Sequence, residues 1–201
     1  MPLPRRVMLA VLLAAGLVRA ASAQPLPERF RATVMAREGD TLTLSTHAGR
    51  TLTATLSPAT IVTEIVPANL SDLAKGSFIG TAAMPGPNGA LVAIEVHIFP
   101  EAMRGTGEGY RPYDLQPEST MTNGTVGDIT VADGRTLHVG YKGGEKTVLV
   151  PEGTPIVAFA PGRRDMLVEG AHVILFATKA ADGGYAAIRI LVGKDGMVPP
   201  M

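Results

Sequence analysis

The chain has no cysteine among its 201 residues. Disulfides, thiolate metal sites and thiol nucleophiles are excluded, as is a lipid-modified cysteine behind a leader. It has no tryptophan, and its four tyrosines and five phenylalanines leave little for stacking bases or sugars. Neither sign of charge is in excess, with 18 Lys and Arg against 18 Asp and Glu. Without a basic stripe to attract a polyanion, nucleic acid is not an expected partner. Long apolar runs are missing as well. The run at residues 7–18 is interrupted only by Gly16 and falls short of the ~20 residues that span a bilayer.

That short run is instead the centre of an export signal. Arg5 and Arg6 precede it, and Ala21-Ser22-Ala23 has the small-x-small form of a cleavage site. Residues 1–23 read as a signal peptide cleaved near Ala23, which places the mature protein in a periplasm or outside the cell. Neither a serine before the arginine pair nor a phenylalanine after it is present, so ordinary secretion is favoured over twin-arginine export. Removing Arg5, Arg6 and Arg19 leaves 15 basic residues against 18 acidic ones, a net charge of about −3.

What the sequence does have is an internal repeat at an offset of about 94 residues. Ala32-Thr33-Val34 returns as Gly124-Thr125-Val126, Gly39-Asp40-Thr41-Leu42 as Gly134-Arg135-Thr136-Leu137, and Leu73-Ala74-Lys75-Gly76 as Leu167-Val168-Glu169-Gly170. Residues 88–96 return as residues 182–190. A repeat of this kind sets the domain organisation before any motif is considered.

Each copy is punctuated by glycine and proline, of which there are 23 and 16, and the runs between them alternate as strands do. In the first copy the pattern predicts strands at residues 31–36, 41–46, 50–56, 77–83 and 91–99, with an irregular stretch at 60–75 holding a short helical turn. Three strands, a variable connector and two strands is the order of an OB-fold. The expected fold is all-β: two tandem five-stranded OB-like barrels, at residues 24–101 and 122–193, packed on each other. One ten-stranded sandwich is the alternative. Residues 102–121 form an ordered linker between the copies, and residues 194–201 a C-terminal tail.

The linker carries the densest chemistry. Arg104, Tyr110, Arg111, Tyr113 and Asp114 lie within it. They read either as interdomain filling or as a binding loop on a rigid scaffold, with arginines for a carboxylate or phosphate and tyrosines to bracket a ligand. Elsewhere the candidates are few. Glu95 and His97 share one face of a strand and would suit a metal such as zinc if a third ligand joined them. They become Arg189 and Leu191 in the second copy, as a solvated strand face would vary. No histidine aligns with another histidine across the repeat. No H-E-x-x-H, no Gly-x-Ser-x-Gly and no lysine-serine pair after Gly105-Thr106-Gly107-Glu108-Gly109 is present, so no catalytic residue is assigned.

The run Glu95-Val96-His97-Ile98-Phe99-Pro100-Glu101, the central segment, Met121-Thr122-Asn123 and the closing Gly193-Lys194-Asp195-Gly196 resemble a recurrent family of exported bacterial proteins with OB-like domains and no assigned activity. Its members are often labelled metal ABC transporter permeases. A permease needs several apolar spans, and none follows the leader. The resemblance implies at most a soluble periplasmic accessory. The expected function is a non-enzymatic periplasmic binding or structural module, without cofactor, holding an envelope protein or a small ligand. A metal-handling accessory is the second reading and a hydrolase-type enzyme the third.

Overall fold

A computed structural model describes residues 26–130 and 135–201. The expected leader at residues 1–23 and Gly134 of the repeat lie outside the described residues. The fold is all-β, and its thirteen strands are hydrogen-bonded into one continuous ladder system.

The first three strands are β1 (Glu28–Glu38), β2 (Thr41–Thr46) and β3 (Thr51–Thr55), followed by β4 (Ile61–Pro67), β5 (Phe78–Pro85) and β6 (Leu91–Ile98). The central segment supplies β7 (Gly109–Pro112). The second copy repeats the set as β8 (Thr120–Thr130), β9 (Thr136–Tyr141), β10 (Gly144–Leu149), β11 (Ile156–Pro161), β12 (His172–Lys179) and β13 (Tyr185–Gly193). β2 shows why these runs are strands. Leu42 and Leu44 are fully buried, and the threonines between them lie half-exposed on the pleat.

The strands close into a barrel, but not from one copy of the repeat. β1 pairs β2, β2 pairs β3, β3 pairs β13 in parallel, β13 pairs β12, and β12 returns to β1. Five further ladders link a second set in the same order: β8 with β9, β9 with β10, β10 with β6 in parallel, β6 with β5, and β5 with β8. Each ring takes three strands from one copy and the closing hairpin from the other. The apolar cores divide the same way. Val34, Leu42, Leu44 and Leu52 pack with Leu167, Leu175 and Ile190. Leu73, Ile79 and Val96 pack with Val126, Leu137 and Val148. The expectation of one barrel per copy, at residues 24–101 and 122–193, is corrected here. The repeat makes the hairpin of either copy fit either ring, and the chain crosses over between them.

The crossings are made by β4 and β11; β4 is a strand where an irregular stretch is expected at residues 60–75, and β11 is its counterpart in the second copy. Each runs out of its own ring and pairs antiparallel with the other. Phe159 lies opposite Ile65, so equivalent residues of the two copies face each other at a pseudo-twofold axis. β4 also pairs β13, and β11 pairs β6, so the ladder β6-β11-β4-β13 runs from one ring to the other.

A β-bulge then re-aims β6. Ala82 pairs with Glu95 and Ala83 with Ala93, leaving Ile94 unpaired. Before the bulge, Leu91 and Ala93 point into the ring, and after it Val96 does. An extra residue in one strand flips the following side chains to the other face. Glu95 and His97 are thereby turned onto the seam between the rings, 0% and 4% exposed. The expected solvated face is wrong for this reason. β13 has the same bulge at Ile188, which turns Arg189 and Leu191 onto the seam from the other side.

Candidate functional site

The seam is lined twice, by matching positions of the two copies, and the two linings differ in chemistry. The second copy contributes Ile174, Phe176 and Leu191, which cluster with Ile65, Val157, Phe159 and Met201. The first copy has Gly80, Ala82 and His97 at the corresponding places. The small residues there leave room for the His97 ring. An added Cβ on Gly80 would lie 2.0 Å from His97 Nε2 and 2.7 Å from Asn123 Oδ1. Beside His97 and Asn123 lies a cavity of about 190 Å³ with an apolar wall and a polar wall.

Glu95 anchors the polar wall. Its Oε1 accepts the Ala82 backbone N–H at 2.8 Å, at the bulge. His97 Nδ1 lies 3.2 and 3.0 Å from the two carboxylate oxygens. A buried carboxylate requires such partners, because the interior does not solvate its charge. The hydrogen bond orients the imidazole edge-on to Phe99 and Phe159, at centroid distances of 4.9 and 5.4 Å.

Asn123 stands beside it on β8. Its Nδ2 donates to the Thr106 carbonyl at 2.9 Å, which fixes the orientation of the amide. Its Oδ1 is buried and has no partner among the described residues. Across the cavity, Arg29 on β1 has a buried Nε in the same condition.

The central segment forms the roof. β7 pairs with the first half of β8, placing Arg111 opposite Met121 and Gly109 opposite Asn123. Alternation along β7 directs Arg111 to the cavity side and Tyr110 away from it. Arg111 Nη1 donates to the Gly107 carbonyl at 2.7 Å. Among the described residues it has no carboxylate partner. Burial lowers its pKa, and the Arg29 charge acts in the same direction.

Tyr113 packs under Arg29, whose guanidinium carbon lies 4.3 Å from the ring centroid. Burial pushes the Tyr113 phenol up against the opposing pull of Arg29 and Arg31. Asp114 accepts from Arg29 and, at 3.0 Å, from Arg31. Burial raises its carboxyl, but hydrogen bonds from Arg31 and Arg29 outweigh that and hold the pKa at about 2. Asp114 thus clasps the central segment to β1.

Of the five linker residues singled out from sequence, Arg111 and Tyr113 line the cavity and Asp114 stands behind it. Arg104 is elsewhere, paired with Glu101 and donating to the Gly76 carbonyl at 2.8 Å. Tyr110 lies on the outer face, 4.2 Å below the Lys146 ammonium. Glu95 and His97 are together, but among the described residues no third His, Cys, Asp or Glu joins them. Sequence reading missed Arg29, Arg189 and the role of Asn123. The signal that could have found Asn123 is its place opposite Gly80, where the other copy has Arg31 opposite Ile174.

Among the described residues no helix is long and apolar enough to cross a membrane. Comparison with family models, curated proteins and solved structures returns no match.

Proposed function

We propose that this protein is a non-enzymatic binding module of the periplasm or the extracellular space. It consists of two OB-like barrels that exchange their closing hairpins, and it holds a small molecule in the cavity on their seam. The observation that carries this reading is the pair of buried, unpartnered polar atoms, Arg29 Nε and Asn123 Oδ1, on side chains lining one cavity. Buried polar groups are ordinarily satisfied, so such atoms in a cavity mark a place that something else fills. The volume suits a small molecule, which favours this over an envelope protein as the occupant. Arg111 and Tyr113 close the site from the central segment, on a rigid double-ring scaffold.

Native mass spectrometry of the mature protein, isolated from periplasmic extract, tests the reading. The expected spectrum shows a non-covalent small-molecule adduct that Arg111→Ala or Tyr113→Ala abolishes, with the β-sheet circular dichroism of the variants unchanged. A bare protein mass, with no rise in melting temperature on adding a small-molecule fraction of the extract, overturns it.

A further inference from the structure

The chemistry of the cavity wall narrows the occupant. Three arginines line it, Arg29, Arg111 and Arg189. Among the described residues, the one carboxylate bound to any of them is Asp114, which is shared with Arg31 and stands outside the cavity. Glu95 is turned toward His97 and the Ala82 N–H. The Arg29 charge acts against that of Arg111, and the Glu95 charge reaches the cavity only at Tyr113, on a carboxylate already held by other partners. Guanidinium forks in that situation suit a carboxylate, which they bind through paired hydrogen bonds. By donor type alone, His97 with Met103, Met121 and Met201 would suit a soft cation. The three positive charges oppose one.

The rest of the wall sets the body of the ligand. Phe99, Phe159 and Phe176 are flat apolar surfaces, and rings favour rings in offset or edge-on contact. An apolar cavity of ~150 Å³ accepts benzene, so about 190 Å³ holds one ring with a small substituent. Asn123 Oδ1 adds one requirement. It is an acceptor fixed in direction by the Thr106 bond and buried beside Gly80 and the His97 ring, so a ligand donor meets it only as the imidazole moves aside.

We infer that the occupant is an aromatic monocarboxylate carrying a hydroxyl or amino donor. The carboxylate meets Arg111 and Arg29, the ring lies against the phenylalanines, and the donor reaches Asn123 Oδ1. This rests on the binding-module reading and specifies its ligand class.

Isothermal titration of the mature protein with 4-hydroxybenzoate, benzoate and phenol tests the assignment. The expected order is 4-hydroxybenzoate first, benzoate about tenfold weaker for one lost hydrogen bond, and phenol weakest. Arg111→Gln should weaken 4-hydroxybenzoate at least tenfold and leave phenol unchanged. Equal binding of phenol and 4-hydroxybenzoate overturns the anion assignment while leaving the cavity a binding site. So does silence of all three probes when native mass spectra show a co-purified molecule. Silence of the probes together with a bare protein mass means that only water satisfies Asn123 and Arg29, and both readings fall. Tighter binding of zinc or copper ions than of any acid overturns the ligand class and restores the metal reading.

Discussion

At the scale of the residue, the polar wall depends on a missing side chain. His97 occupies the space a Cβ on Gly80 would need, and the backbone of β5 cannot withdraw because it is paired on both sides. Gly80→Ala should therefore displace the imidazole and strain its bond to Glu95. Overpacking of this kind costs about 1–3 kcal/mol. Removing the imidazole as well should recover much of that loss, so Gly80→Ala and His97→Ala should couple by at least about 1 kcal/mol. Urea unfolding of the four proteins in the cycle measures the coupling, and additive effects would show that the two residues do not compete for space. That Glu95 and His97 share a face was legible from their spacing. Their burial was not, because a single unpaired residue, Ile94, decides which face they share it on.

Elements were legible where one face meets a core and the other meets water. β2 and β3 alternate cleanly, and the turns that precede them fall at Gly39 and Gly49, both at positive φ. β4 and β11 carry apolar residues on both faces and β7 has only four residues, so none of the three shows the apolar-polar alternation that identifies a strand. The choice of pairing partner was not legible at all. A repeat offers β1 two hairpins of similar sequence, β5–β6 and β12–β13, and local pattern does not distinguish them. The exchange has a direct test, made clean by the absence of native cysteine. Thr33 pairs with His172, and their side chains meet at 3.1 Å. Thr33→Cys with His172→Cys should form an intramolecular disulfide on mild oxidation, seen as a loss of free thiol in a monomer. Free thiols persisting in folded protein would mean that β1 takes its partner from its own copy.

At the scale of the whole molecule, the exchange makes each half of the chain depend on the other. Residues 24–101 hold β1 to β6, which are three strands of one ring, two strands of the other and the crossing strand β4. Alone, this fragment has no ring to close unless β4 folds back and the copy pairs with itself. The core of β1 to β3 would then face water where Leu175 and Ile190 now cover it, and apolar burial is the main stabilising contribution to a domain this small. The fragment also lacks the clasp from Asp114 to Arg29 and Arg31. A second copy can supply what the first is missing, because its β5–β6 hairpin resembles β12–β13, the basis of domain swapping. Residues 24–101 should therefore sediment as a dimer, with a midpoint of urea unfolding that rises with protein concentration. The full mature chain, joined through β6-β11-β4-β13, should unfold in one transition independent of concentration. A fragment that sediments as a monomer and unfolds cooperatively with undiminished stability would mean that each copy closes its own barrel. The seam between the rings would then be an interface of two finished domains rather than the place where the chain changes over.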